Sequence, residues 1–149
     1  MPSAVVSQKM PVPSAEVFEL LHDYGRRLEW DTLLREARLT RGHTRAEKGA
    51  TSLCVGKPLF GIFGIETRYV TFNAPEIAAV ELVNCPPMFA TFAASIRHED
   101  VEGGSVATYK FRFTARPKFL SRVLEPLMLH ALKAETAKRL AALAAHFSQ

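Results

Sequence analysis

Hydrophobic and polar residues alternate along much of the chain between residues 36 and 115. In the clearest stretch, residues 105–115, one face carries Ala107, Tyr109, Phe111 and Phe113. Alternation with a period of two predicts a β-strand that buries one face. Turn-forming residues such as Asn73-Ala74-Pro75 and Gly103-Gly104 separate the alternating runs. Because no helical pattern intervenes between these runs, they predict an antiparallel sheet.

The same pattern predicts seven strands, over residues 3–10, 37–42, 50–55, 65–72, 77–83, 88–98 and 105–115. The strand at residues 65–72 has an undecided orientation. One face carries Glu66, Arg68, Val70 and Phe72, and the other carries Ile65, Thr67, Tyr69 and Thr71. Both faces mix polar and apolar side chains, so periodicity does not decide which one is buried. The apolar, Gly-rich connection at residues 56–64 is predicted to fold over the core or to form part of an entrance.

A second periodicity, of 3.6 residues, predicts three helical segments. The first runs from residue 14 to about residue 24, with the Ser14 hydroxyl as its expected cap. A short helical turn at residues 26–31 follows and carries Trp30, the only tryptophan. The terminal segment, residues 118–147, contains Pro126, which lacks an amide proton and clashes with the preceding turn. We therefore expect either two helical pieces or one helix that is kinked at Glu125-Pro126.

The terminal segment carries two apolar stripes on nearly opposite sides. The first stripe is Leu120, Val123, Leu124 and Leu127, and the second is Leu129, Leu132, Leu140, Leu143 and Phe147. Small residues lie beside the second stripe, together with His130, at positions Ala134, Ala137, Ala141 and Ala144. Bulky anchors next to small residues would hold the helix against a sheet and leave space beneath the alanines. The sequence therefore predicts a pocket under this alanine shoulder, near the proline.

Strands and helices that are grouped along the chain indicate an α+β fold with helices on one face of an antiparallel sheet. The 149 residues fit a single domain, 1–149, with an ordinary globular apolar content of 48%. No apolar run has the roughly 20 residues of a membrane span, and the first residues do not form a secretory leader. We therefore expect a soluble, cytoplasmic protein with Cys54 and Cys85 as free thiols. Its oligomeric state is open.

Several residues carry a resemblance to a known family. Residues 12–23 (VPSAEVFELLHD), Glu29-Trp30-Asp31 and the terminal run 138–143 (KRLAAL) resemble the START-like or SRPBCC superfamily, and within it the polyketide cyclase/dehydrase-type branch. The resemblance spans essentially the whole chain. It implies a helix-grip fold, in which a curved seven-stranded antiparallel sheet wraps a long C-terminal helix, with two short helices after the first strand. It also implies a ligand cavity between sheet and helix, but no catalytic motif that transfers to this chain.

Common catalytic and binding motifs are missing from the sequence. It contains no G-x-S-x-G elbow, H-E-x-x-H zinc motif, Walker phosphate loop or dinucleotide fingerprint. The five histidines lack metal-ligand spacing, so we expect neither a metal site nor a cofactor. The net charge of +4 is spread among acidic residues, which favours a solvated surface over a nucleic-acid interface.

Three polar residues are candidates for chemistry, although none is assigned a catalytic role. His130 would bond a ligand oxygen or move a proton, or it is an ordinary packed helix histidine. Tyr109 would offer its hydroxyl to a ligand, or it is core with an internally bonded hydroxyl. Arg68 is either a buried cation that pairs with Glu66 or an acidic ligand, or part of a surface ion pair with Glu66.

The sequence thus predicts a cavity that binds a small, mainly apolar molecule. The expected ligand contacts are Trp30, Phe92, Tyr109, Phe111, Leu127, His130 and Ala134. For Trp30 the alternative is packing between the short helix and the sheet, near one mouth of the cavity. A carrier, sensor or chaperone for a lipid, quinone or polyketide-like compound is one interpretation. A cyclase- or dehydrase-type enzyme that uses polar cavity residues is the second. In a third, side chains fill the cavity and the surface binds another protein.

Overall fold

The computed structural model describes residues 2–57 and 64–148. The strands are β1 (Ser3–Met10), β2 (Leu34–Thr40), β3 (Thr51–Gly56), β4 (Ile65–Asn73), β5 (Ile77–Leu82), β6 (Phe89–Val101) and β7 (Gly104–Ala115). The helices are α1 (Ser14–Leu21), α2 (Arg27–Trp30) and α3 (Ser121–Phe147), and a 3-10 turn at Lys118–Leu120 precedes α3. Residues 58–63, in the predicted Gly-rich connection, lie outside the described residues.

The strands form one antiparallel sheet in the order β1-β7-β6-β5-β4-β3-β2. Strands β2 to β7 follow one another as a meander, and β1 pairs with β7 at the opposite edge from β2. The sheet curls into a half-barrel around α3, which packs mainly against β1 and β7. The predicted α+β helix-grip fold, with seven strands and two short helices after the first, is confirmed.

The longest pairing joins β6 and β7, the strands with the cleanest alternation in the sequence. Their register runs from Phe89 opposite Ala115 to Val101 opposite Gly104, and the Gly103-Gly104 turn closes the hairpin as predicted. Phe111 and Phe113 on β7 are buried, while the alternating Lys110 and Arg112 are exposed. The period-two pattern therefore predicted both the hairpin and its buried face.

Strand β4 turns the Tyr69 face inward, which resolves the orientation that the sequence left open. Tyr69 is 2% exposed, whereas Val70 is 38% exposed. The pairing of β4 with β5 shifts register between Tyr69 and Thr71. Such a bulge moves later side chains to the other face, so Phe72 packs on the same side as Tyr69, with ring centroids 5.2 Å apart. A strict alternation assigns Tyr69 and Phe72 to opposite faces.

Helix α1 begins without the cap that the sequence predicted. The Ser14 hydroxyl makes no capping hydrogen bond, and the helix starts after Pro13. Instead, the Ser14 amide donates to Asp100 Oδ1 at 2.7 Å. The Asp100 carboxylate on β6 thus satisfies one of the free amides at the helix start, where negative charge is also favoured. This contact ties α1 to the end of the β6–β7 hairpin.

Helix α3 runs without a break from Ser121 to Phe147, with Pro126 inside it. Of the two predicted alternatives, separate helical pieces are therefore wrong and a single helix is observed. Pro126 lies in the second turn, where the missing amide proton removes one helical hydrogen bond. Most of the predicted first apolar stripe is not part of the core, because Val123 is 64% exposed and Leu127 is 63% exposed, whereas Leu124 packs against the core. The inward face is instead anchored by Met128, Leu140 and Leu143, all buried.

Two histidines are packed between α1 and the sheet. His98 on β6 is 4% exposed and lies edge-on to Phe18, with ring centroids 5.7 Å apart. Within the described residues, neither ring nitrogen of His98 has a hydrogen-bond partner. Burial lowers the pKa of His98 to about 4. Burial also lowers the pKa of His22, at the end of α1, to about 3, and Arg27 and His98 act in the same direction.

A glycine at the start of β7 is required by packing rather than by the turn alone. A Cβ atom at Gly104 would overlap the carbonyl oxygen of Met10 on β1, whereas a Cβ atom at Gly103 would meet nothing within 4 Å. Both residues have positive φ, of 156° and 83°. An alanine at Gly103 would therefore introduce backbone strain alone, whereas an alanine at Gly104 would introduce both strain and steric overlap.

We expect Gly104→Ala to lower the free energy of unfolding by about 1–3 kcal/mol more than Gly103→Ala, because only the former adds overpacking to strain. Urea denaturation of both variants beside the wild-type protein measures the difference. Equal losses for the two alanine variants would show that the close approach of β1 to Gly104 relaxes without cost.

Acid is expected to destabilise the fold through the two buried histidines. In the unfolded chain they ionise near pH 6.5, but in the folded protein only near pH 4 and pH 3. The unfolded state therefore binds more protons in this window, and stability falls as the pH drops from about 6.5 to about 4. Each histidine contributes up to about 1.4 kcal/mol per pH unit.

His98→Phe, which keeps an aromatic ring against Phe18, should remove about half of this acid-induced loss of unfolding free energy. Denaturation curves at several pH values measure it, with His130→Gln as the matched control because His130 is exposed. An unchanged pH dependence in the His98→Phe protein would contradict the assignment.

Candidate functional site

A cavity of about 190 Å³ lies between the sheet and α3. Its walls come from the end of α1, from α2, from strands β2 to β7 and from the part of α3 between Leu132 and Leu140. One water molecule occupies about 10–15 Å³ on the same measure, so the cavity exceeds the space of a few waters. The structure therefore contradicts the interpretation in which core side chains fill the cavity.

Aromatic and aliphatic side chains line one part of the cavity, which we call the apolar end. These residues are Val80, Phe89, Phe92, Ala94, Phe111 and Leu132. The rings of Phe92 and Phe111 are nearly parallel, with centroids 6.3 Å apart, and Phe89 meets Phe92 edge-on at 5.9 Å. The apolar end rests on buried Met128 and Phe113. It offers an apolar wall without competing hydrogen-bond donors.

Charged side chains meet at a second part of the cavity, the polar end. Arg27 from α2 and Arg139 from α3 both line the cavity and both contact the Asp31 carboxylate. The distance from each Nε atom to Asp31 Oδ2 is 3.0 Å. Asp31 is 1% exposed, and its Oδ1 atom accepts the Leu33 amide at 3.2 Å. A buried carboxylate must be compensated in this way, because its desolvation is otherwise very costly.

The two arginine contacts differ in quality. The Arg27 Nε group donates an aligned hydrogen bond to Asp31, and Nη1 of Arg27 donates to the Leu21 carbonyl at 3.4 Å. The Arg139 contact is short, but its Nε group is not aligned for a hydrogen bond with Asp31, and no other partner exists in the described part of the chain. Arg139 is thus held by charge rather than by a directed bond.

A chain of three uncharged polar groups borders the polar end. His22 Nδ1 lies 2.7 Å from the Tyr69 hydroxyl, which lies 3.0 Å from the Tyr24 hydroxyl. Burial raises the pKa of both tyrosines and lowers that of His22, so all three are neutral near pH 7. Such a chain offers hydroxyl groups to a ligand without adding charge.

Seven further polar side chains line the cavity: Ser52, Cys54, Thr67, Ser95, Tyr109, Glu135 and Thr136. Burial raises the pKa of the Cys54 thiol and of the Tyr109 hydroxyl, so both remain protonated near neutrality. Burial also raises the pKa of Glu135, although Arg139 and Lys138 oppose this effect. Cys54 is a free thiol that is partly buried, and Cys85 is free but exposed.

Three of the seven predicted ligand contacts line the cavity: Phe92, Tyr109 and Phe111. Trp30 is buried but lies behind the wall, where the guanidinium of Arg27 covers its ring at 4.9 Å from the centroid. It therefore positions Arg27 instead of lining the cavity. Leu127, His130 and Ala134 are exposed and do not line the cavity.

The predicted pocket under the alanine shoulder is therefore wrong in its position. The predicted second stripe does face inward, and its Leu132 and Leu140 line the cavity. They are joined there by Glu135, Thr136 and Arg139 at helical spacing, and not by the alanines. His130 and Ala134 fall outside this stripe, on the solvent side. The leucine stripe was therefore predicted correctly, and the flank was wrong because polar Glu135, Thr136 and Arg139, not small residues, lie beside it at the cavity.

Arg68 also lies away from the cavity, since the residues of β4 that line it are Ile65, Thr67 and Tyr69. The predicted pairing of Arg68 with Glu66 is not observed. Glu66 instead pairs with Arg41 at 3.2 Å and accepts a hydrogen bond from Thr40 at 2.8 Å, which lowers its pKa. The Glu66 side of β4 thus faces solvent.

The sequence contains local patterns that point to some of the cavity residues absent from the predicted set. His22 follows Phe18 by four positions, so helical spacing already places it on the buried side of α1. Arg27 and Asp31 have the same spacing, which suits an ion pair. Arg139 has no such local partner, because its contact with Asp31 joins residues that are distant in sequence. Only the tertiary structure reveals that part of the site.

Within residues 2–57 and 64–148 no cluster of three or more histidine, cysteine or acidic side chains is arranged to hold a metal ion. The helices in this part of the chain include none that is long and apolar enough to cross a membrane.

Several solved structures are similar to this fold over nearly the whole chain. BexL, a di-domain ARO/CYC protein, has a TM-score of 0.80 at 12% identity. The alignment covers 99% of this chain but only 50% of BexL. The Zhui aromatase/cyclase from a Streptomyces species has a TM-score of 0.78 at 12% identity, with 99% and 93% coverage. The protein XoxI from Bacillus cereus has a TM-score of 0.77 at 17% identity, with 100% and 97% coverage. At these identities the likeness shows a shared fold.

Among curated protein sequences no significant match was found. A family model described as "Polyketide cyclase / dehydrase and lipid transport" matches residues 1–148, practically the full length. The family match agrees with the helix-grip fold, with a cavity between sheet and helix, and with the resemblance seen in the sequence. The chain therefore belongs to the polyketide cyclase/dehydrase and lipid transport family of the SRPBCC superfamily.

Proposed function

We propose that the protein binds a small hydrophobic molecule between the sheet and α3, as a carrier, sensor or chaperone. The observation that carries this proposal is the cavity of about 190 Å³, which has an apolar wall and a separate group of polar side chains. Ligand sites typically combine a mainly apolar lining with a few polar groups that fix orientation. A lipid-, quinone- or polyketide-like compound has this division into an apolar body and oxygen functions.

Because the cavity has an apolar end and a polar end, it favours one orientation of such a ligand. Phe92 and Phe111 provide flat surfaces, which suit an aromatic ring or an extended chain. Tyr109 and Arg139 provide donors for ligand oxygens at the other part of the lining. We therefore place the apolar body at the apolar end and the oxygen functions at the polar end.

Ala94→Phe should weaken the binding of the neutral fluorescent probe N-phenyl-1-naphthylamine by at least about tenfold, because the added ring occupies the apolar end. Ala93→Phe is the matched control, since alternation places Ala93 on the other face of β6. Fluorescence titration measures affinity, and thermal unfolding shows that both variants fold.

Native mass spectrometry of the purified wild-type protein complements the titration by detecting a co-purified ligand. Equal probe affinity in the wild-type and Ala94→Phe proteins would contradict binding in the cavity. A wild-type protein that carries no molecule and binds no probe would contradict the proposed function as a whole.

A cyclase- or dehydrase-type activity is the second candidate, and one observation favours it. Glu135 lines the cavity with a pKa raised by burial, which brings a carboxylate closer to the range that suits a general base. Arg139 lies one turn further along α3 and supplies positive charge for a developing enolate oxygen. In this interpretation Glu135 removes a proton next to a carbonyl group, and the resulting enolate carbon attacks a second carbonyl of the same molecule.

Heptane-2,6-dione provides a test, because its intramolecular aldol closure and loss of one water yields 3-methylcyclohex-2-enone, which absorbs in the ultraviolet. If the protein catalyses this closure, Glu135→Gln should lower the rate by about 100-fold or more while leaving probe affinity unchanged. Lys133→Gln, an exposed change on the same helix, should leave the rate as in the wild-type protein. No acceleration by the wild-type protein, or full activity of Glu135→Gln, would argue against this mechanism.

A further inference from the structure

We propose that Arg27 and Arg139 form a recognition site for an anionic oxygen head group, of the carboxylate class, at the polar end of the cavity. The inference rests on the proposed function, since it assigns the head group of a ligand whose apolar body lies at the apolar end. It narrows the ligand from a hydrophobic molecule to a hydrophobic acid.

At the polar end, two positively charged arginines contact the single negatively charged carboxylate of Asp31. Two guanidinium groups approach the same oxygen, Oδ2, at 3.0 Å each. The other oxygen, Oδ1, is occupied by the Leu33 amide. One buried carboxylate thus faces two cations, and the positive charge that remains has no anion in the cluster.

The guanidinium groups also retain unused donors. A guanidinium carries five N–H donors in a planar fork. In the hydrogen bonds formed by the described residues, Arg27 uses Nε and Nη1, and Arg139 uses none. Both side chains line the cavity. Because one carboxylate accepts two parallel N–H bonds from such a fork, an acidic head group fits these donors.

Glu135 is the carboxyl group that lines the cavity among the described residues, and it interacts with Arg139 through charge without a direct ion pair. It precedes Arg139 by four residues on α3, but within the described chain neither arginine forms an ion pair with it. Its pKa is raised by burial, so its charged form is less favoured than that of an exposed glutamate. The hydroxyl groups of Tyr24 and Tyr109, which remain protonated, add neutral donors for the same head group.

The protein contains its own reporter for this site. Trp30 is the only tryptophan, and the Arg27 guanidinium carbon lies 4.9 Å from its ring centroid. A negatively charged group that binds Arg27 changes the field at the indole ring. We therefore expect acids, but not their neutral analogues, to shift the Trp30 emission.

The experiment compares two pairs of ligands that differ only in the charge of the head group. The pairs are 2-naphthoate with 2-naphthamide, and decanoate with decanamide, titrated at pH 7.5 by calorimetry. Wild-type protein should bind each acid at least about tenfold more tightly than its amide, because charge-assisted hydrogen bonds are the stronger ones. Arg139→Gln should lose most of this preference, because its affinity for each acid falls more than its affinity for the matching amide.

Lys138→Gln is the matched control, since it removes the same charge from the exposed neighbour of Arg139. It should keep the wild-type preference. If Arg139→Gln does not fold, Arg139→Lys keeps the charge but loses the planar fork, and a reduced preference for acids is then expected.

Three results would overturn the inference while leaving ligand binding in place. These are equal affinities for acid and amide in the wild-type protein, a preference that survives both Arg139 substitutions, and an equal loss in Lys138→Gln. If wild-type protein binds none of the four compounds and carries no co-purified molecule, the proposed function fails as well.

Discussion

The buried carboxylate of Asp31 is the constraint on which the arrangement of the cavity depends. Asp31 is almost inaccessible to solvent, and a carboxylate in that position is tolerated only with compensating charge and hydrogen bonds. Arg27 supplies one partner from the same short helix, and Arg139 supplies the other from the far end of the chain. The ion cluster therefore joins α2 to the second half of α3. Because α2 alone has only four residues, its position is set by these contacts and by the packing of Trp30.

The same cluster explains why a cavity persists in the interior of a small protein. At the apolar end, α3 approaches the sheet closely through Met128, which is fully buried. Further along the helix, Glu135 and Arg139 occupy positions where leucines would allow full contact. Charged side chains in a low-dielectric interior stay near their partners and near polar space, so the helix and sheet do not close on each other there. The polar side chains thus maintain the opening, and in the proposed function the same side chains select the ligand.

The strand pattern predicted the sheet well, and it left the orientation of one strand, β4, undecided. On β6 and β7 the alternation is regular, so the hairpin and its buried face followed from periodicity alone. On β4 the bulge after Tyr69 brings Phe72 to the face of Tyr69, which no regular alternation describes. Ser14 shows a related limit, because Asp100 from a distant strand replaces the expected local cap. Local patterns predict local structure, and each failure traces to a contact between residues far apart in sequence.

The prediction for α3 was right for its second leucine stripe but wrong for the flank beside that stripe, for a reason that bears on function. Leucines and alanines were used to define its inward face, which placed His130 and Ala134 toward the sheet, whereas the structure exposes both. The face that lines the cavity carries Glu135, Thr136 and Arg139 among its leucines. If the helix served packing alone, apolar residues at those positions would make the fold more stable, since burial of unpaired polar groups is unfavourable. Departures from local rules are expected where a protein keeps side chains for binding or chemistry. The polar interruption of the inward stripe, more than the stripe itself, therefore marks where α3 contributes to the site.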